Sequence, residues 1–387
     1  MRFFTRAAMV AAVAAGLMAW AGTGSPALAQ DAAAVPDPAT LMPEIPNLDA
    51  WRQSPHADVK SEAFRHWDED GVVEEACAKC HSTAGFQDFL GADGSAEGSI
   101  DSEHPTDVAE APGIACMACH NDVAQNMTVV PFPSGEEVEV YTADARCMVC
   151  HAGRASTPDV EKAVADAGVG DDTPSSDLSF INVHYRAAAA TRYGGEVRGG
   201  FEYEGMEYAG YFFHDQASQT CNDCHNPHTV EVKVATCVEC HQEVSADDKE
   251  SLLAIRTSKT DFDGNGDTSE GIHAEVDALH EQLYAAIQSY AKNVVGSSIA
   301  YNEHTYPYFL ADTDDSGAIE DAENQRSNGF KSWTPRLLKA AYNFQFVEKD
   351  PGAYAHNPNY VIQLMHDSIA DLATADDSIT VPGERPE

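Results

Sequence analysis

Residues 220–241 read "TCNDCHNPHTVEVKVATCVECH", four cysteines and three histidines within one short stretch. Cys221, Cys224 and His225 form one C-x-x-C-H unit, and Cys237, Cys240 and His241 form a second, with His228 between them. Zinc, a redox dithiol, disulfides and covalently attached haem are the four chemistries to separate. The rest of the chain separates them. The same unit recurs at Cys77, Cys80 and His81, at Cys116, Cys119 and His120, and at Cys147, Cys150 and His151. Together the five units consume all 10 cysteines. Histidine is 16 of 387 residues, so five trailing histidines by chance would be an event of order one in ten million, and the histidine belongs to the motif. Zinc ribbons pair their CxxC units and have no use for an odd number or for the histidine. A thioredoxin-like dithiol accounts for one unit, not five. Haem accounts for every residue: the thiols form thioethers to the porphyrin vinyl groups, and the histidine reaches the iron. The sequence therefore predicts five covalent haem c groups, with His81, His120, His151, His225 and His241 as proximal ligands.

The N-terminus fits that reading. Residues 1–6 carry Arg2 and Arg6, residues 7–20 are apolar, and Ala27-Leu28-Ala29 reads as a cleavage site, so residues 1–29 are expected to be a secretory signal peptide. No later segment offers the roughly 20 apolar residues that a membrane helix needs. No cysteine precedes Cys77, which leaves no N-terminal cysteine for a lipid anchor. An exported chain, periplasmic or extracellular, without a transmembrane segment after signal removal is the expectation. The formal charge is −40, and loss of Arg2 and Arg6 takes it to about −42. Nucleic acid is not expected as a partner, because binding phosphates needs lysine and arginine patches. The acidity reads first as solubility, and secondly as steering of basic redox partners or retention of divalent cations.

Residues 30–50 form a Pro/Ala-rich lead-in. Residues 51–245 hold all five motifs, and the 165 residues from Cys77 to His241 must wrap the porphyrins, which supply much of the apolar core. The fold expected there is mainly α with much irregular coil: short helices at the motifs and a few short β-hairpins. One hairpin is expected over residues 129–142, around Pro133-Ser134-Gly135, and residues 199–213 alternate similarly. Residues 246–375 change character. Ile272, Val276, Leu279, Leu283, Ile287 and Tyr290 make a helical stripe. Thr334-Pro335 and Asn357-Pro358 read as the starts of two further helices. Residues 376–387 are expected to be a disordered acidic tail.

Residues 312–323 match the 12-residue EF-hand loop. Asp312, Asp314 and Ser316 stand at the first three ligand positions, Gly317 at the turn, and the carbonyl of Ala318, Glu320 and Glu323 at the remaining ones. A calcium ion is expected there. A weaker relative contains Asp261, Asp263, Asn265 and Asp267 and is the candidate for a second ion. Its last position is Ile272, so Glu270 or Glu275 would have to supply the bidentate carboxylate. Residues 246–375 are thus expected to be a helical EF-hand-like domain.

A haem iron that transfers electrons usually takes a second axial ligand. Five distal ligands are expected: His56 and His66 ahead of the first motif, His184 and His214 in apolar or aromatic surroundings, and His228 after the rigid Asn226-Pro227 pair. His356 stands in reserve. His104 reads as exposed, His273 and His280 as a solvated helix face, and His304 and His366 carry no signal.

The five motifs, "CHNPH" at 224–228, and "SPHA" and "AFRHW" before Cys77 resemble the multihaem c-type cytochromes. "AYAHNPNY" at 353–360 is similar to a segment of the pentahaem nitrite reductases and their octahaem relatives, in which the histidine ligates a haem. None of the five motifs here ends in the lysine of that family's catalytic haem, and the EF-hand-like part matches nothing in its pattern. The reading placed first is an electron carrier between redox partners outside the cytoplasm, such as other cytochromes or a membrane quinol-oxidising complex, with no catalytic residue. A reductase of a small nitrogen or sulfur oxyanion is the second reading, and would need an open iron and an anion pocket, for which Arg186, Arg192 and Arg198 are the candidates. The third is a subunit of an extracellular haem filament or homo-oligomer.

Overall fold

All the long helices but one lie after residue 270 in the computed structural model, which describes residues 44–106, 113–215 and 218–387. The expected signal peptide and most of the lead-in lie outside the described residues. Residues 47–387 form one compact unit. Up to residue 245 the chain is mostly coil punctuated by helices of a few residues; four motifs have both cysteines on one, and the fifth begins at the last residue of another. These helices are Glu75–His81, Cys116–Cys119, Ala145–His151, Cys221–Cys224 and Val234–Cys237. One turn of helix is what the motif needs, because residues three and four apart share a face. Thr220 starts the fourth of these helices with a reciprocal capping box to Asp223.

The sheets are three two-stranded antiparallel pairs: β1 (Val72–Val73) with β2 (His104–Pro105), β3 (Val129–Pro131) with β4 (Glu137–Glu139), and β5 (Ile299–Tyr301) with β6 (Phe309–Ala311). The hairpin expected over 129–142 is thus present. The segment 199–213 contains no strand. Its backbone is taken up by side chains instead: Asn343 Oδ1 accepts from Phe201 N at 2.6 Å, Asn343 Nδ2 donates to Phe201 O at 2.9 Å, and Gln363 Oε1 accepts from Ala209 N at 2.8 Å. Alternation of apolar and polar residues there serves packing against helices rather than a second strand.

Three helices carry the core: α1 (Ile272–Tyr290), α2 (Pro335–Glu348) and α3 (Pro358–Ala373), each packed on the other two. Thr334 Oγ1 accepts from Leu337 N and Asn357 Oδ1 from Tyr360 N, both at 3.2 Å, so both helices start at the expected caps. Leu279, Leu283, Ile287 and Tyr290 from α1, with Leu337, Leu338 and Phe346 from α2, are fully buried. No helix among the described residues is long and apolar enough to cross a membrane.

Two expectations for this region fail. The acidic tail is held in place: Asp376 accepts from Ser289 Oγ and Asn293 Nδ2, Arg385 pairs with Asp367 at 2.8 Å, and Glu384 N donates to Asp261 O. Its Asp376 finds donors at and just beyond the end of α1 and its Arg385 an acceptor on α3, which its composition did not reveal. The loop 312–323 has EF-hand spacing but not EF-hand flanks. It is entered by strand β6 and followed by a 3₁₀ turn, Arg326–Asn328, so no helix-loop-helix surrounds it.

Candidate haem-ligating histidines

Five histidine pairs organise the motif region. His81 faces His184, with Nε2 atoms 3.4 Å and ring centroids 5.7 Å apart. His120 faces His228 at 6.1 Å with nearly parallel rings, and His151 faces His56 at 6.4 Å. His225 faces His356 at 6.4 Å, and His241 faces His214 at 6.1 Å. Each pair joins one motif histidine to one non-motif histidine, and none is used twice. A metal held about 2 Å from each of two imidazole nitrogens separates the ring centroids by roughly 6 Å, so the residues fit an iron between each pair.

Three of the motif histidines have the far ring nitrogen fixed by a backbone carbonyl, whereas the far nitrogen of His184 is buried without a hydrogen-bond partner. The Nδ1–H of His81 donates to Ala63 O at 2.7 Å, that of His151 to Arg186 O at 2.8 Å, and that of His225 to Val230 O at 3.1 Å. A carbonyl can only accept, so the proton sits on Nδ1 and the Nε2 lone pair is free. Burial lowers the pKa of His81, His151 and His225, and lowers His56 and His184 to about 4, the facing histidine adding to the effect in both. These rings are therefore neutral at pH 7, as a ligand must be.

His356 differs. Its Nδ1 meets both carboxylate oxygens of Asp350, at 2.8 and 3.0 Å, and Asp350 is only 3% exposed. Burial pulls the His356 pKa down, but the Asp350 charge more than offsets this and the net shift is upward. Gly352 makes room for the ring, since a Cβ there would lie 2.6 Å from His356 Cε1. His214 Nδ1 also meets a carboxylate, Asp215 Oδ2 at 2.7 Å, but this pair is on the surface.

His66 is the expected ligand that the structure does not place opposite a motif histidine. It is exposed, bonded to Glu62 Oε1 at 2.9 Å and edge-on to Trp67. His356 stands in its place. His104, expected on the surface, is 4% exposed and bonded to Asp88 Oδ2 at 3.1 Å. His280 is likewise not on a solvated face, because it stacks on Phe344 at 4.1 Å and bonds the Phe344 carbonyl.

The motifs touch in a branched order. Cys150 Sγ of the third approaches Lys79 O of the first at 3.6 Å. Arg146, beside the third, donates to Cys119 O of the second at 2.7 Å, and Asp144 accepts from Cys221 N of the fourth at 3.0 Å. Lys233 N, ahead of the fifth, donates to Cys224 O of the fourth at 2.7 Å. Motif three is thus in contact with one, two and four.

Among the described residues, two groups of three or more metal-competent side chains converge. They are Asp261, Asp263 and Glu275, and Asp312, Asp314 and Glu323, each with oxygens within 4.8 Å of one another. Neither contains cysteine or histidine, so the motifs do not gather into zinc clusters. Asn265 and Asp267 lie in the first of these loops, and Ser316, Ala318 and Glu320 in the second. Of the arginines expected to attract an anion, Arg192 pairs with Asp144 and Arg198 with Glu161 and Glu202.

Residues 62–152 match the family model described as cytochrome c7 and related cytochrome c. The chain is 27% identical over 368 aligned residues to the C-type polyheme cytochrome OmcB of Geobacter sulfurreducens, covering 81% of this chain and 46% of the relative. It is 28% identical over 364 residues to the C-type polyheme cytochrome OmcC of the same organism, covering 79% and 43%. The chain thus spans about half the length of these curated relatives. No solved structure matches it. The family match and the relatives support haem c binding and a multihaem electron-transfer role.

Proposed function

We propose that this chain is an exported carrier of five covalent haem c groups that passes electrons between redox partners outside the cytoplasm, in the periplasm or beyond it. The cysteine pairs Cys77/Cys80, Cys116/Cys119, Cys147/Cys150, Cys221/Cys224 and Cys237/Cys240 anchor the porphyrins. The axial pairs are His81–His184, His120–His228, His151–His56, His225–His356 and His241–His214. Haem bound this way supplies reversible one-electron chemistry, and the protein sets each potential through ligands, burial and hydrogen bonds. The single observation that carries this reading is the one-to-one pairing of the five motif histidines with five others.

That pairing favours transfer over catalysis, because it closes both axial positions at every motif, whereas a reductase needs one left open. It also favours a self-sufficient chain over a filament subunit borrowing a ligand, since this chain supplies all ten histidines. The contacts of motif three with one, two and four make its haem the branch point of the conductor, with motif five at the end of one arm. The acidic loops of the C-terminal half are assigned to a divalent cation that is structural rather than redox-active.

An electron paramagnetic resonance count on the oxidised holoprotein tests the reading. Five low-spin ferric haems per chain are expected, with no signal from a high-spin haem and no shift on adding nitrite or cyanide. A high-spin haem that binds either anion readily would replace the carrier with the reductase.

A further inference from the structure

We propose that the loop 312–323 binds one ion of the calcium class through Asp312, Asp314, Ser316, the carbonyl of Ala318, Glu320 and Glu323, and that the loop at Asp261 binds none. This rests on the cation assignment above and decides between its two candidate loops. Neither acidic spacing nor the loop hydrogen bonds separate them, since Asp312 and Asp314 also accept from the N–H groups of Ser316 and Gly317. What separates them is the group that faces the free oxygen of the last glutamate.

In the Asp261 loop the aspartate oxygens accept from loop donors and the last glutamate faces an internal cation. Asp261 accepts from Gly264 N at 2.7 Å and Gly266 N at 2.8 Å, and Asp263 accepts from the backbone and side chain of Asn265, both at 2.9 Å. Glu275 is fully buried. Its Oε2 accepts from Phe262 N and Asp263 N, both at 2.9 Å, and its Oε1 lies 2.6 Å from the guanidinium of Arg256 in an ion pair off the line of a hydrogen bond. Arg256 is itself held by the carbonyls of Ser258, Thr260 and Glu270. A fixed internal cation therefore stands where the bidentate carboxylate would meet calcium.

The 312–323 loop has no such cation. Among the described ion pairs, none involves Asp312, Asp314, Glu320 or Glu323, and Lys292 pairs with Asp315, which is not a ligand position. Glu323 is 6% exposed. Its Oε1 accepts from Thr313 N at 2.5 Å and from Thr313 Oγ1, while its Oε2 is buried without a partner. A buried carboxylate oxygen left bare is costly unless a cation or donor meets it. Oxygens about 2.4 Å from a common ion lie no more than roughly 5 Å apart, and those of Asp312, Asp314 and Glu323 lie within 4.8 Å. A bidentate glutamate with mixed carboxylate, hydroxyl and carbonyl oxygens suits calcium rather than magnesium, which demands a smaller octahedral shell. Once bound, the ion ties Glu323 back to the end of strand β6. The β5–β6 hairpin carries Tyr308, whose hydroxyl meets that of Tyr185 at 3.0 Å, beside His184.

Chelator-stripped holoprotein is titrated with calcium chloride by calorimetry, with bound metal counted by elemental analysis. One ion per chain and a higher melting temperature with saturating calcium are expected. Glu323→Gln and the milder Asp314→Asn, the latter at an exposed side chain, should each weaken binding at least tenfold, while Asp261→Asn keeps one ion with unchanged affinity. The haem absorption spectrum reports that each variant is folded. Two ions per chain, no ion, or loss of the single ion in Asp261→Asn with retention in Asp314→Asn each overturn the proposal. Because ion stoichiometry and affinity do not depend on axial ligation, the carrier reading stands or falls separately.

Discussion

Replacing His356 and His66 in turn tests the assignment on which sequence and structure part. His66 is exposed and its one ion pair, with Glu62, is a surface pair worth at most about 1 kcal/mol. His66→Ala should therefore move the melting temperature by no more than about 2–4 °C and leave five low-spin haems. His356→Ala removes the ring that faces His225 and strands the Asp350 carboxylate, which is 3% exposed, without its partner. Breaking a buried ion pair in this way costs about 3–5 kcal/mol. The double variant His356→Ala/Asp350→Asn separates the two effects, because the amide lifts the uncompensated charge while the ligand stays missing. In both His356 variants one haem in five should leave the low-spin population, with all five still covalently attached by mass. The stability loss should be concentrated in the single variant. Spin counting at low temperature reads the first quantity and thermal melting the second. If His66→Ala converts a haem and His356→Ala converts none, the pairing of His225 with His356 is wrong and the argument from ring separation fails with it.

Two further outcomes follow from particular contacts. Asp350→Asn keeps the shape but removes the charge that makes the His356 ring a stronger donor to ferric iron. Partners of this kind are worth roughly 10- to 100-fold, so one haem midpoint should rise by about 60–120 mV while five low-spin haems persist. Unchanged midpoints in redox titration would remove Asp350 from the set of tuning residues. Asp88 has a folded pKa below its ordinary value. Burial pushes it up, but the Ser102 and Ser95 hydroxyls and the N–H groups of Asp101 and Ser102 outweigh this. A depressed folded pKa gives stability that is present above the unfolded value of about 4 and is lost as pH falls through the folded one. Urea midpoints should therefore drop between pH 5 and pH 2, roughly, and Asp88→Asn should flatten that slope. An identical slope in wild type and variant would show that other carboxylates control it.

Local signals were legible and long-range ones were not. The Thr334-Pro335 and Asn357-Pro358 starts, the stripe from Ile272 to Tyr290 and the turn at Pro133-Ser134-Gly135 are encoded within a few residues, and each forms where expected. Choosing between His66 and His356 requires contacts that sequence spacing does not carry. The His356 ring is oriented by Asp350, six residues away, and presented to a motif more than a hundred residues upstream. The nearby signal was the Gly352 to Asn357-Pro358 run, which builds a one-turn helix, Ala353–His356, ending on the histidine that faces His225. The same limit explains segment 199–213 and the tail. Both have the composition of free-standing pieces, and both are fixed by single side chains of α2 and α3, such as Asn343 and Asp367. Calcium-loop spacing was readable, whereas the presence of Arg256 in one loop and its absence from the other was a tertiary fact.

The C-terminal helices matter to the haem region for a physical reason. A motif helix of four to seven residues is far below the length at which a helix stands alone in water, so each needs external support. The helices α2 and α3 hold the segments that lie between the motifs. Tyr342 OH donates to Gly199 O, Gly200 N donates to Tyr360 OH, and Arg336 reaches back to Asp172 at 2.7 Å. Lys349 O accepts from Arg186 N, whose own carbonyl accepts from His151 Nδ1, so the end of α2 bears on the central motif through one intervening residue. The next residue, Asp350, holds His356 against the fourth motif. One turn at the end of α2 therefore braces the histidines proposed as ligands at both motif three and motif four. Motion there would move two of the proposed axial ligands together.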